Sequence, residues 1–213
     1  MMKEGMMQGE IVVAGVNEEE ALQEALERLR LPREAVLYEV TTESEDLLLP
    51  GAKPQLQVRV RIRPDYIAER AIGHLRSILD ILRIPVEIDQ EYRNGIIFVR
   101  IASKAAASLL IGRDGQNLDA LQYLINRMIL RVGREAPMVV VDVEGYRRHE
   151  FEKLERLAKQ AATRARESGN EIELDPMPAI ERKYLHHYLR TLPGVRTFSR
   201  GDEPERYLVI LAD

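Results

Sequence analysis

Two glycines three residues apart, Gly112 and Gly115, enclose Arg113 and Asp114, and Gln116 opens the helical pattern that follows. Glycine places no Cβ beside the chain, so such a turn lets the backbone come close to a ligand. A helix starting just after it aims unpaired N–H groups, and the positive end of its dipole, at whatever fills the turn. This chemistry suits gripping an anion, above all the phosphodiester of an unstacked nucleic-acid strand. A second set lies nearer the C-terminus. Arg182 and His186 are spaced i, i+4 and share one helical face, with Lys183 beside them. Tyr184 and Leu185 can supply the buried side of that helix, which leaves Arg182, Lys183 and His186 to project toward phosphate. Alone, a G-x-x-G is equally well a plain turn between helices, and Arg182 with His186 a solvated surface pair. The elements that position them decide between these readings.

Composition removes several other chemistries. The chain has 213 residues and no cysteine, which excludes disulfides, thiolate metal sites and a cysteine nucleophile. His186 and His187 are adjacent, and neighbours on a helix point about 100° apart, too far to chelate one ion. His74 and His149 read as surface residues of their helices. No H-E-x-x-H, Walker A or G-x-S-x-G pattern occurs, so neither an enzyme, a cofactor, a metal nor a small-molecule substrate is expected. Three Phe and no Trp argue against an aromatic stacking platform of the RRM or OB kind. No apolar run approaches the roughly 18 residues a membrane span needs, and a cytoplasmic protein is the simplest expectation. The net charge of −4 is unevenly spread. Residues 1–55 carry 5 Lys/Arg against 12 Asp/Glu, residues 56–145 carry 13 against 11, and residues 146–213 carry 13 against 12. The first segment therefore repels phosphate and suits a protein partner, while the rest is mildly basic.

The pattern predicts an α+β protein of three small modules. Residues 1–55 read as strand, helix, strand and an apolar loop. Glu10–Gly15 is β-prone, Asn17 caps a helix bearing Ala21, Leu22, Ala25, Leu26 and Leu29, and Val36–Val40 is a second strand. Leu47–Pro54 fits neither element and reads as a loop or linker. Residues 56–145 open on a lead-in strand, Leu56–Ile62. A helix over Asp65–Arg83, a hairpin about Arg93-Asn94-Gly95, a short helix over 103–111, the glycine turn, a helix from Gln116 to Arg131 and a strand over Met138–Val143 follow. Leu118, Leu121, Leu124, Ile125, Met128 and Ile129 are the expected buried face of that longer helix. Residues 146–213 read as helix, short strand, helix and a final hairpin around Gly201-Asp202-Glu203-Pro204.

After the lead-in strand, the α-β-β-α-α-β order with a G-x-x-G between its last two helices resembles a type II KH domain. Arg182-Lys183-Tyr184-Leu185-His186 resembles the Arg-xxx-His signature of a small domain associated with single-stranded nucleic acid. Gly112–Leu124, Tyr146-Arg147, Leu154–Ala158, Glu173–Met177 and Gly201–Pro204 sit where the bacterial Jag family, also called KhpB or EloR, has similar runs, and the acidic first segment resembles its N-terminal domain. The resemblance implies a cytoplasmic protein binding single-stranded RNA, with single-stranded DNA as the alternative. It implies an RNA chaperone or post-transcriptional regulator linked to cell elongation and cell-wall homeostasis. Its implied partners are a small KH-only protein or a second copy of the chain. The alternative is a protein-interaction adaptor associated with the membrane-protein insertase, with RNA binding secondary. The candidate nucleic-acid contacts are Gly112, Arg113, Asp114, Gly115, Gln116, Arg182, Lys183 and His186. The family's loop typically reads Gly-Lys-His-Gly, and here an aspartate stands beside the expected phosphate.

Overall fold

Asn17 fixes the first helix: its Oδ1 accepts from the Glu20 backbone N–H at 2.9 Å, and α1 (Glu18–Leu29) buries Ala21, Leu22, Ala25 and Leu29 along one stripe. Strand β1 (Glu10–Gly15) precedes it, and β2 (Val36–Thr42) and β3 (Leu56–Ile62) complete an antiparallel sheet in the order β1-β3-β2. The computed structural model describes residues 10–42, 56–93, 95–129 and 137–213. The expected Leu47–Pro54 loop and Asn94 of the hairpin turn lie outside them. Leu56–Ile62, expected as the strand leading into the middle module, is the centre of this first sheet, with Val58 opposite Val13 on one side and Val40 on the other. Alternation makes the segment a strand with one apolar face whichever sheet it joins. Here Val58 and Val60 are fully buried, packed with α1 between β1 and β2.

Pro64 opens α2 (Pro64–Ile81), where its missing N–H costs no hydrogen bond. Strands β4 (Glu87–Arg93) and β5 (Ile96–Ala102) pair as an antiparallel hairpin, and β6 (Met138–Val143) pairs with β5 in parallel, giving the order β4-β5-β6. Helices α3 (Ala107–Ile111) and α4 (Gln116–Ile129) supply the crossover that a parallel pair requires. The order α2-β4-β5-α3-α4-β6 is the type II KH arrangement. Ile67, Ala71, Leu75 and Leu79 of α2 are buried, as are Ile97, Val99 and Ile101 of β5 and Leu118, Ile125 and Ile129 of α4.

Two details of this unit depart from expectation. The short helix starts at Ala107 rather than at residue 103, because residues 104–106 form a turn. On α4, Leu124 and Met128 are exposed, and Gln122 is buried instead. Its Nε2 donates to the Val139 carbonyl at 2.9 Å and its Oε1 accepts from the Val141 N–H at 2.7 Å. β6 is the edge strand, so its unpaired backbone groups need partners, and one carboxamide supplies both a donor and an acceptor.

The chain divides into two compact units, Met1–Glu144 and Gly145–Asp213. In the second, α5 (Tyr146–Ser168) buries Phe151 together with Ala158, Ala161, Ala162 and Ala165, small side chains that permit close packing. Strands β7 (Ile172–Glu173), β8 (Val195–Arg200) and β9 (Tyr207–Ala212) form an antiparallel sheet in the order β7-β9-β8. Helices α5 and α6 (Ala179–Leu189) pack against each other and both against the sheet, and Tyr184 stacks on Phe151 with ring centroids 3.8 Å apart. Among the described residues no helix is long and apolar enough to cross a membrane.

Candidate nucleic-acid interface

The G-x-x-G turn joins α3 to α4 and is built largely from backbone. Gly112 has φ +74° and ψ −176°. A Cβ there would stand 2.7 Å from Asn117 Cγ and 2.9 Å from Asn117 N, so glycine is required both by conformation and by space. Asn117 holds the turn from the other side, its Nδ2 donating to the Leu109 carbonyl at 2.7 Å. Asp114 is left-handed at φ 50° and Gly115 follows at φ +81°, a conformation that aspartate tolerates better than most residues. The side chains of Arg113 and Asp114 are 89% and 84% exposed, with Nε and Oδ2 3.6 Å apart. Gln116 is exposed at the start of α4. All five expected residues therefore meet at one turn, with the side chains of Arg113, Asp114 and Gln116 standing in water. Leu109, Tyr123, Leu124 and Met128 are exposed nearby in sequence, and Arg127 lies 5.2 Å from the Tyr123 ring centroid. Apolar surface beside a backbone clamp suits unstacked bases.

The second set is arranged differently from expectation. Arg182 does not project. Its side chain is 7% exposed. Its guanidinium bonds the Met177 carbonyl, the Arg206 carbonyl at 3.3 Å and both carboxylate oxygens of Glu203. The reason is tertiary. The β8–β9 connection brings Glu203 and the Arg206 carbonyl over α6, and a buried guanidinium is stable only when its donors are satisfied. Arg182 thus ties α6 to the hairpin. Lys183 is exposed beside it and has no ion-pair partner among the described residues. His186 is half-buried and shares a hydrogen bond between Nδ1 and Thr197 Oγ1. Burial, then the charges of Arg190 and His187, draw its imidazole below the usual 6.5, so it is neutral at pH 7.

Lys183, His186, Thr197, Ser199 and Arg206 line an open groove of about 380 Å³, with Ala179, Arg182 and Phe198 completing it. The Nε of Arg206 is buried there without a hydrogen-bond partner. Arg190, the C-cap of α6 and one turn beyond His186, is exposed and carries no ion pair among the described residues. Thr197, Ser199 and Arg206 had no signal in the sequence, since they come from a hairpin distant from Arg182 along the chain, while Glu203 lies in the Gly201–Pro204 run that resembles the family. Arg190 had one, its i, i+4 spacing from His186. Among the described residues no three His, Asp or Glu side chains converge where a metal ion could be held.

The groove lies within a recognised domain: a family model for the Arg-xxx-His domain matches residues 152–212, from α5 to the end of β9. Over 202 residues the chain is 31% identical to RNA-binding protein KhpB of Clostridium symbiosum, covering 94% of this chain and 90% of that protein. The chain belongs to the KhpB family. RNA-binding protein KhpB of Bacillus subtilis is 31% identical over 204 residues, covering 94% of this chain and 97% of that protein. KhpB of Streptococcus pneumoniae matches at 29% identity over 155 residues, 73% of this chain and 47% of that protein.

Proposed function

We propose that this chain binds single-stranded RNA at two separate sites, one in each compact unit. The turn at Gly112–Gly115 grips the sugar-phosphate backbone through its amides and Arg113, with Gln116 at the start of α4 and the exposed apolar residues of α4 beside it. The α6 groove makes the second contact through Lys183 and Arg190, with His186 and Thr197 offering neutral hydrogen bonds. Arg182 is a positioning residue: it holds the groove wall rather than the strand. The observation that supports this reading is the built turn, where Gly112 has no room for a Cβ and Arg113, Asp114 and Gln116 stand exposed around it. Two weak sites on one chain raise affinity through effective concentration.

The division into modules that accompanies this reading ends the first module at Ile62 rather than at residue 55, runs the KH module from Pro64 to Val143, and gives the remainder to the Arg-xxx-His domain. The wider role we propose is that of an RNA chaperone or post-transcriptional regulator in the cytoplasm, linked to cell elongation and cell-wall homeostasis. The alternative, an adaptor docking a membrane-associated partner through its acidic first segment, is favoured by the charge of that segment.

Binding of single-stranded RNA across a salt series separates the two. RNA binding predicts affinity that falls steeply with salt and drops when Gly112-Arg113-Asp114-Gly115 becomes Gly-Asp-Asp-Gly, by Arg113→Asp alone. No affinity at low salt, or none lost in that variant, favours the adaptor.

A further inference from the structure

The groove ends at an open strand edge. β8 is the outer strand of its sheet, paired with β9 alone. Side chains alternate across a strand, so Thr197 and Ser199 face α6 and the groove, whereas Arg196, Phe198 and Arg200 lie on the opposite face. Phe198 touches the groove from the edge and is 40% exposed.

The neighbours of this ring are held and neutralised. Arg200 lies with its guanidinium carbon 5.2 Å from the Phe198 centroid and pairs with Glu171 and Glu173 at 2.7 Å each. Tyr207 donates to Glu173 at 3.2 Å, fixing the carboxylate in turn. On the other side, Arg196 Nε is 2.6 Å from Asp213 Oδ1. The outer face therefore presents a ring with one guanidinium plane beside it, and the arginine charges of this face are already met by carboxylates. Such a surface repels a phosphate and accepts a flat, neutral group. On the groove side the charges are reversed: Lys183 has no ion-pair partner among the described residues, and no carboxylate is among the lining residues.

We infer that Phe198 is a base platform: a strand whose phosphates lie in the α6 groove crosses the edge of β8 and stacks its next base on Phe198. The charge pattern sets that direction, since only the base can leave the cationic side. Aromatic and guanidinium planes are the surfaces on which unstacked bases settle, and they do so with little sequence preference. The groove then spans at least two nucleotides. It distinguishes a base-bearing strand from a plain polyanion.

The inference rests on the proposed RNA binding, and its test separates the two. The full chain carrying Arg113→Asp, which silences the turn, is titrated with an oligouridine and with an abasic ribose-phosphate oligomer of equal length. Phe198→Leu is expected to weaken oligouridine binding about tenfold and to leave the abasic oligomer unchanged, while Phe198→Tyr binds like the parent. Phe198→Trp, the only tryptophan in the chain, is expected to be quenched by oligouridine and not by the abasic oligomer. Equal affinity of Phe198→Leu and the parent for oligouridine, or tryptophan emission unchanged at saturation, overturns the platform and leaves RNA binding standing. If the chain without any substitution binds neither oligomer at low salt, RNA binding itself fails and the platform with it.

Discussion

Arg113 and Arg182 are the arginines of the two candidate sites, and the molecule uses them in opposite ways. Arg113 stands on a backbone-built turn, almost fully in water, with the equally exposed Asp114 beside it. Arg182 is buried, and its donors go to two carbonyls and to Glu203. The first site is a shape made by glycines, to which charge is added loosely. The second is a shape made by a buried arginine paired with an exposed glutamate, with Lys183 and Arg190 left exposed around it. An arginine in a binding signature is thus no guide to whether it touches the ligand. What decides is whether the fold has already satisfied it.

The contrast is most sharply broken by removing the buried arginine. Arg182→Ala leaves the Met177 and Arg206 carbonyls short of a donor, and should lower the unfolding free energy of the second unit by about 2–3 kcal/mol, read from urea denaturation of the full chain. The salt slope of RNA binding should stay as it was, because Glu203 already neutralises that charge. A reduced slope with unaltered stability would return Arg182 to the role of a phosphate contact.

At the turn, Gly112→Ala forces a Cβ against Asn117 in a left-handed region. It should cost about 1–3 kcal/mol in the first unit and weaken RNA binding with it. Unfolding that is unperturbed would mean the turn is looser than its contacts with Asn117 and Leu109 suggest. Asp114→Asn keeps a side chain that tolerates φ 50° but removes the charge beside Arg113. Affinity for single-stranded RNA should rise about two- to fivefold with an unchanged melting temperature. Equal affinity would place the phosphate away from this corner of the turn.

The smallest effect is one of pH. Burial lowers the pKa of His186 in the folded chain, so the unfolded chain takes up its proton first as pH falls. Stability of the second unit should therefore be full above the unfolded value of 6.5 and decline as pH drops from there toward the lower folded value. Below that it levels off. His186→Gln should flatten this part of the profile, measured by thermal unfolding between pH 7 and pH 5. A slope that survives the substitution belongs to another group.

Much of this was legible in the chain. The N-cap at Asn17, the amphipathic stripes of α1 and α2, the α-β-β-α-α-β order and the glycine turn are all local, set by residues within a few positions of each other. The element that misled was Leu56–Ile62. Its alternation declares a strand but not a partner, and only the antiparallel register with Val13 and Val40 assigns it to the first sheet. Leu124 and Gln122 misled in the same way. Helical spacing ranks leucine above glutamine for burial, yet the edge of β6 needed a donor and an acceptor.

The sequence by itself determined where the turn is and that it must be glycine, because backbone conformation is a property of adjacent residues. It determined too that Arg182 and His186 share a helical face, because that follows from helix pitch. Only the tertiary structure decided what each does there. Glu203, the Arg206 carbonyl and Thr197 reach α6 from a distant hairpin. A charge brought out of water binds whatever partner the fold supplies first, so Arg182 was committed to the hairpin and Lys183 left exposed beside it.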